Sequence, residues 1–337
     1  MGSWAQSPWT ILRMSAAGVA EEYRKARRAM LDALGPAVIA GLHRACPALD
    51  WAAVVALPAL FVADAIALAA WPVGLAWGLC FVLQGFVIQA FGYVVHDLFV
   101  HRRVGGVAGY FIGALFELVI TFRRTWYALY HLDHHGHMNT ADDPEAYKQD
   151  LDTRWKRVFF LTLPGAMLTM ARGLRPGRPT SSHLVTAPLT PPVEQVRWRL
   201  RFEGGLALAA VGLTGLTALV WWQVVVFGYL LPLALVTPIA SSLRVILEHA
   251  EADTDNVFHC AVFYRTGPVS GPLFFWDAGD CHIVHHIYPA IPFYRVPEAL
   301  RLMRPILAAH GARERSLWAL LRGWFVRNEP HRTVWSS

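Results

Sequence analysis

Long apolar runs separated by charged segments dominate the pattern of this chain. Residues 52–70 and 73–95 form one pair of runs, and residues 204–221 and 224–246 form a second pair. Each run is close to the length of about 20 residues that an α-helix needs to cross the hydrocarbon core of a bilayer. A tight turn that contains tryptophan joins the two runs of each pair. The pattern therefore predicts four transmembrane helices arranged as two hairpins.

Lysine and arginine are distributed unequally around these predicted spans. Neither tight turn contains one, whereas the segment between the hairpins is rich in both. Cytoplasmic loops carry an excess of these residues, so both termini and the long middle segment are predicted to be cytoplasmic. A hydrophobic fraction of 55% and a mean hydropathy of +0.35 also favour a multi-pass integral membrane protein. Because basic loops beside a membrane account for the net charge of +6, no nucleic-acid partner is expected.

Three further segments are predicted not to cross the membrane. Residues 107–122 and 158–171 are apolar but shorter than a span, which favours an interfacial or re-entrant placement. Residues 174–195 are rich in proline, serine and threonine and predict a loop. The clustered histidines of this chain can lie together on one side of the bilayer only if these short stretches do not carry the chain to the other side.

The two ends of the chain carry amphipathic patterns. Periodic apolar residues between Glu21 and Cys46 predict a helix on the membrane surface. A second amphipathic helix is predicted to begin at Pro297 and to end at Gly311. The expected fold is an all-α membrane protein with a cytoplasmic helical cap that holds the histidines. Residues 1–50 are predicted to form an N-terminal interfacial segment. Residues 51–250 and 251–310 form one membrane domain with its cap, and residues 311–337 form a C-terminal tail.

Nine of the 15 histidines form clusters at predicted cytoplasmic positions. They are His96 and His101, then His131, His134 and His135, then His249, and finally His282, His285 and His286. In an HxxHH motif on a helix, the three imidazoles share one face and can converge. Ligation by imidazoles without thiolates suits iron, copper or zinc. The clusters therefore predict a polynuclear metal site, whereas His43, His183, His310 and His331 are expected to be ordinary hydrogen-bonded histidines.

These motifs resemble those of the membrane-bound fatty acid desaturase/hydroxylase superfamily. The resemblance runs from about Trp51 to Leu307 and consists of HxxxxH, HxxHH and HxxHH in this order, with Glu248-His249 after the second hairpin. The sequences GHMNTADDPE and IYPAIPFY also look like this family. It implies two irons held by the nine histidines, O2 as oxidant and an acyl chain as the usual substrate. Val245 stands where acyl-CoA desaturases have an asparagine, which leaves the sixth position of one iron open.

The reaction implied by the resemblance is the O2-dependent introduction of a double bond into a fatty acyl chain. The five-residue spacing of the first motif looks more like desaturases than like carotenoid ketolases or alkane hydroxylases. Lipid or alkyl hydroxylation, carotenoid ketolation and oxidative decarboxylation remain alternatives on the same scaffold, because small differences in substrate placement decide between them. A non-enzymatic metal carrier is a further alternative from a different class. A carrier would require a pathway of ionisable residues along the spans. The four predicted helices contain essentially one such residue, Asp64, which gives this alternative little support.

Other residues are expected to support the metal site and the substrate. Carboxylates near the histidines could orient their imidazoles, and the candidates are Asp97, Asp133, Asp143, Glu248 and Asp280. Candidates for the wall of an acyl channel are Gly85, Phe86, Phe91, Gly92 and Tyr93. Three basic residues, Arg123, Arg124 and Arg157, could hold an anionic head group or a carrier protein, or could face anionic lipid.

Electrons are expected to come from a separate protein. The sequence carries no haem-binding domain, no flavin or nucleotide fingerprint and no cysteine set for an iron–sulfur cluster. A ferredoxin, a rubredoxin or a cytochrome is therefore the expected donor. The acyl group could be attached to lipid, coenzyme A or a carrier protein.

Overall fold

The fold is that of a computed structural model. It describes residues 16–138, 143–145, 151–173, 193–249, 257–259, 261, 263–267, 270–271, 274, 276, 279–312 and 314–329. The loop predicted over residues 174–195 lies outside this set except for its last three residues, which begin a helix. Part of the GHMNTADDPE motif and Cys260 also lie outside the described residues.

About 80% of the described residues are helical and very few lie in strands, which confirms the all-α part of the predicted fold. The α-helices are α1 (Ala16–Leu34), α2 (Pro36–Leu42), α3 (Pro47–Ala70), α4 (Leu75–Val94), α5 (Gly106–Val119), α6 (Arg124–His137), α7 (Arg154–Phe160), α8 (Leu163–Gly173), α9 (Val193–Val225), α10 (Leu231–Leu235), α11 (Thr237–Glu248), α12 (His282–Ile287), α13 (Val296–Ala309) and α14 (Leu317–Leu321). The π-helices are Val95–His101, Val226–Leu230 and Arg322–Val326, and the 3₁₀ turns are Val257–His259 and Phe293–Arg295. Strands β1 (Phe263–Arg265) and β2 (Glu314–Ser316) pair in parallel.

The first predicted hairpin is formed by α3 and α4. Helices of 24 and 20 residues measure about 36 and 30 Å, which is enough to cross a bilayer core of about 30 Å. Large apolar side chains on α3, including Leu60, Val62 and Ile66, are exposed, as expected for a face that contacts lipid. Among the described residues, three segments are long and apolar enough to span: Pro36–Ala70, Leu75–His101 and Glu194–Glu248.

The third of these segments has 55 residues and reverses its direction. Near its start, Glu203 accepts a hydrogen bond from the backbone N–H of Thr125 at 3.1 Å. Immediately after its end, the Nε2 atom of His249 lies 3.2 Å from that of His134. Thr125 and His134 both belong to α6 and are about 14 Å apart along its axis, so the segment must leave α6 and return to it. Trp221, whose φ of −131° and ψ of 56° are not helical, lies at the reversal.

The short apolar stretch predicted over residues 107–122 corresponds to α5, which is followed by a sharp bend. Helices α5 and α6 meet at 91°, and Thr121 between them has a positive φ of 65°. Fourteen residues of α5 measure about 21 Å, which is less than a bilayer core requires. A fourth candidate span results only if α5 and α6 are counted together as one bent crossing.

Helix α1 packs through one apolar face against α12 and α13. Val19, Tyr23, Ala26 and Met30 recur at helical spacing and are buried in a cluster that includes Ile283 of α12. The same cluster contains residues of α13. The helix that the sequence predicted for the membrane surface therefore contacts protein through this face.

The C-terminal part of the chain folds back onto β1 and α7. Helix α13 confirms the amphipathic helix predicted from Pro297, and Gly311 after it adopts a φ of +79°, which favours glycine at a helix end. The region predicted as a tail contains β2, α14 and a π-helix. Trp324 in this π-helix is buried, and its carbonyl accepts a hydrogen bond of 3.0 Å from the guanidinium of Arg157 on α7. Much of the tail is therefore part of the folded structure.

Candidate metal centre

The π-helix at the end of α4 positions the first two histidines. In an α-helix, residues five apart point about 140° away from each other, because each residue turns by about 100°. The π-helical pattern, in which the N–H of Arg102 bonds to the carbonyl of Asp97 at 3.1 Å, changes this angle. The rings of His96 and His101 consequently lie 4.8 Å apart, centroid to centroid. The spacing of the first motif therefore depends on an unusual helix type.

The second motif, on α6, divides its three imidazoles between two directions. His131 and His135 are four residues apart on one face, and their Nε2 atoms are 3.0 Å apart. The Nε2 atom of His131 also lies 2.9 Å from those of His96 and His101. His134 instead places its Nε2 atom beside His249.

The third motif, on α12, divides in the same way. His282 and His286 are four residues apart, and their Nε2 atoms are 2.9 Å apart. Both lie close to the Nε2 atom of His249, at 3.0 and 3.3 Å. His285 lies between these two in sequence, but its Nε2 atom is 3.1 Å from that of His135. Each HxxHH motif thus gives a pair of imidazoles to one side and a single imidazole to the other.

Eight of the nine histidines therefore form two sets of four. Histidine group 1 comprises His96, His101, His131 and His285, and histidine group 2 comprises His134, His249, His282 and His286. Within each group the nitrogen atoms all lie within 4.8 Å of one another. The ninth, His135, lies beside group 1. Neighbouring nitrogens on one ion, each bound at about 2.1 Å, are about 3 Å apart, so both groups fit a metal ion.

Burial favours the neutral imidazoles that metal ions need as ligands. Desolvation lowers the pKa of His285 and His286 well below its usual value, and the neighbouring imidazoles lower it further. A neutral imidazole offers one nitrogen lone pair to a metal and one N–H group to a second partner. The donor set fits iron, which accepts nitrogen ligation without thiolates.

Two rings of group 2 have hydrogen-bond partners for their outer nitrogens, and a third lies near a carboxylate. The Nδ1 atom of His134 lies 2.8 Å from a carboxylate oxygen of Asp143, and that of His286 lies 3.0 Å from the hydroxyl of Tyr23. The Nδ1 atom of His282 is 3.6 Å from Glu248. Such partners fix the tautomer and the orientation of a ligating imidazole. Asp143 and Glu248 are both among the carboxylates that the sequence suggested for orienting the imidazoles.

The other three candidate carboxylates have different contacts. Asp97 forms an ion pair with Arg102 at 3.1 Å. Asp133 contacts His137 at 3.2 Å, and His137 belongs to neither histidine group. Asp280 accepts a short hydrogen bond from the Thr266 hydroxyl, and burial raises the pKa of Asp280. The structure thus places these carboxylates near the ligand segments but directs them to other residues.

Tyr23 was not identified from the sequence. It belongs to α1, more than 260 positions from His286, and it occupies one of the buried positions of an ordinary amphipathic pattern. Its hydroxyl also contacts the sulfur of Met138 at 3.3 Å. A tyrosine at a core position is usually a packing residue, so no signal in the sequence separates it from the other apolar residues of α1.

A cavity of about 390 Å³ reaches group 1 at His96. Gly92 and Tyr93, two of the predicted channel residues, line it. The other three lie elsewhere. Gly85 lies against Val236, between α10 and α11. Phe86 lines a separate cavity of about 220 Å³, and Phe91 packs edge-on against Phe116.

Two of the three arginines proposed for an anionic head group are buried. The guanidinium of Arg124 donates to the carbonyl of Phe99 at 2.5 Å, and that of Arg157 donates to the carbonyl of Leu151 at 2.9 Å. The head-group prediction is therefore wrong for these two residues, because both side chains bind backbone oxygens inside the fold. Arg123 is exposed.

The fold and the site together define a class of protein: a helical chain with segments long enough to span a membrane and with two buried groups of histidines, each of which could hold a metal ion, beside an apolar cavity. The family model of the fatty acid desaturases matches residues 72–318. The chain therefore belongs to the fatty acid desaturase family. A search of curated proteins found no match.

Proposed function

We propose that this protein is a membrane di-iron oxidase that introduces a double bond into a fatty acyl chain, using O2 and electrons from a separate donor. The observation that carries the proposal is the division of eight clustered histidines into two groups of four beside a cavity. Membership of the desaturase family supports the same reaction class. An apolar cavity that reaches one histidine group suits a substrate with a long aliphatic chain.

Each histidine group would hold one iron, with His135 contributing next to group 1. When bound, the iron pair would supply the activation of O2, with electrons from the donor, that oxidation of an unactivated C–H bond requires. The protein's own residues provide placement. His134 is oriented by Asp143, and His286 is oriented by Tyr23, so that the nitrogen donors of group 2 are held in position before the metal binds. The cavity walls hold the chain beside His96 and exclude water.

We further propose a topology of four crossings with both termini and the site in the cytoplasm. The reversal at Trp221 supports a second hairpin, and the distribution of lysine and arginine supports the orientation. In this arrangement α5 and α6 are re-entrant or interfacial. Tagging each tight turn with a single cysteine and labelling it from one side of sealed vesicles tests the topology.

Loss of two hydrogens distinguishes this reaction from the alternatives. A lipid hydroxylase or a carotenoid ketolase adds oxygen to its substrate, and an oxidative decarboxylase removes the carboxyl carbon. A ferredoxin, a rubredoxin or a cytochrome would supply the electrons to any of them. A metal carrier remains the alternative from another class and would show no O2 consumption.

The test is expression of the full chain with a redox partner, followed by mass spectrometry of the membrane lipids. Products lighter by two mass units than their precursors are expected with the wild type and absent with His134→Ala. His310→Ala is the matched control, because His310 is exposed and stacks on Phe258 away from both groups. Products that gain one oxygen would replace the proposal with a hydroxylase. Unchanged activity of His134→Ala would refute the metal centre.

A further inference from the structure

The cavity beside His96 contains a polar patch within its apolar walls. The patch consists of Gln89 on α4 and of Thr237, Ser241 and Ser242 on α11. Gln89 is only 5% exposed. Among the residues that the structure describes, neither its amide nitrogen nor its amide oxygen has a hydrogen-bond partner. A buried amide without a partner is costly, which suggests that a ligand satisfies it.

A second glutamine on the same helix, Gln84, has partners for its amide nitrogen within the protein. The amide nitrogen of Gln84 donates to the carbonyl of Gly228 at 2.6 Å and to that of Phe61 at 3.2 Å. Gln84 thus connects three membrane helices through their backbones. Gln89 makes no comparable contact within the described part of the chain and lines the cavity instead.

The position of Gln89 relative to the metal centre follows from the helix. Gln89, Gly92, Tyr93 and His96 all line the cavity and recur at intervals of three, four and seven residues, which places them on one face. Seven residues correspond to about 10 Å along the helix axis. Gly92 has no side chain, and a β-carbon there would lie 3.0 Å from the Cδ1 atom of Ile120, another residue of the cavity wall.

We propose that the cavity binds an aliphatic substrate that carries a hydroxyl or carbonyl oxygen along its chain, apart from the carboxyl end, and that this oxygen is hydrogen-bonded to Gln89 about 10 Å from the group-1 histidines. This inference rests on the proposed function, because it names the substrate class of the same site. An amide side chain can donate to a carbonyl and can accept from a hydroxyl, so either oxygen satisfies it. A plain hydrocarbon chain would leave the amide without a partner.

Equilibrium binding tests the inference without turnover. The probes are stearic acid and a series of hydroxystearic acids in which the hydroxyl moves along the chain one carbon at a time. The full-length protein is loaded with zinc and held in nanodiscs, where no oxygen chemistry can occur. We expect the wild type to bind one narrow range of isomers about tenfold more tightly than stearate, and Gln89→Leu to lose this preference.

Gln84→Leu is the matched control. It removes an amide that binds the protein itself, so it should lower the thermal midpoint but keep the preference for hydroxylated chains. Equal affinity of the wild type for all isomers and for stearate would overturn the inference, and this result does not depend on the folding of any variant. A preference that survives in Gln89→Leu would overturn it as well.

A parallel assay with iron, O2 and a reductant separates this inference from the proposed function. Absence of product from every probe would contradict the proposed oxidase activity, while a preference in the zinc assay would still assign the oxygen-binding patch. Conversely, desaturated products together with equal affinities would uphold the oxidase and reject the role of Gln89.

Discussion

The two histidine groups differ in what surrounds them. In group 2, the outer nitrogens of His134 and His286 contact Asp143 and Tyr23 at 2.8 and 3.0 Å. In group 1, His96 lines the cavity. His135, which lies beside group 1, has a buried Nδ1 atom without a hydrogen-bond partner among the described residues. One group is therefore held by protein contacts, and the other borders the cavity.

The two HxxHH motifs look alike in sequence, but the two histidine groups to which they contribute have different surroundings. Each HxxHH motif contributes to both groups, yet the oriented carboxylate and hydroxyl partners lie on one side. We infer that group 2 fixes the metal pair in the fold and that group 1 faces the chain to be oxidised. Four kinds of substitution test the distinction, in order of decreasing effect.

Removing a ligand should have the largest effect on either group. His282→Ala in group 2 and His285→Ala in group 1 should each abolish turnover and lower the iron content from about two ions to about one per chain. Iron analysis of the purified protein and lipid mass spectrometry provide the two measurements. Retention of both ions in His282→Ala would contradict the assignment of group 2.

Filling the cavity should affect the substrate side alone. Val245 lines the cavity four residues before His249, and Val245→Trp adds bulk where the chain would lie. Turnover should fall about a hundredfold because the reacting carbon is displaced, while the iron content stays unchanged. A parallel loss of iron would mean that the cavity wall and the metal centre are not separable.

Removing the carboxylate of Asp143 should weaken metal binding by group 2. Asp143→Asn keeps the shape of the side chain but loses its charge next to His134, and metal affinity should fall about 10- to 100-fold. Competition with a metal chelator measures the affinity. Asp133→Asn is the matched control, because that carboxylate contacts His137 outside both groups. An equal loss in both variants would indicate a general charge effect.

Removing one hydroxyl should have the smallest effect. Tyr23→Phe deletes the hydrogen bond to His286 and should lower metal affinity about tenfold, with little change in folding. The same chelator competition measures it. Tyr288→Phe serves as the control, since the Tyr288 hydroxyl donates to the carbonyl of Arg27 in the same cap. If Tyr23→Phe binds metal as tightly as the wild type, Tyr23 is a packing residue only.

The order of the elements followed from local pattern. The hydrophobic runs predicted α3 and α4, and the amphipathic pattern between Pro297 and Gly311 predicted α13. Both signals could be read from the sequence because span length and amphipathic spacing depend on residues that are close together in the chain. The contacts of Arg124 and Arg157 could not be predicted. Their burial depends on backbone carbonyls that distant segments bring to them.

For the site, the candidate histidines could be recognised in the sequence, because HxxxxH and HxxHH are local motifs that can be read without knowledge of the rest of the fold. Their division into two groups could not be predicted, since each HxxHH motif contributes to both groups and the division depends on how α6, α12 and the π-helix meet. Only the tertiary structure decided this division, and it also decided that Tyr23 orients a ligand and that Gln89 lines the cavity. Such contacts join residues far apart in sequence, and no local pattern encodes them.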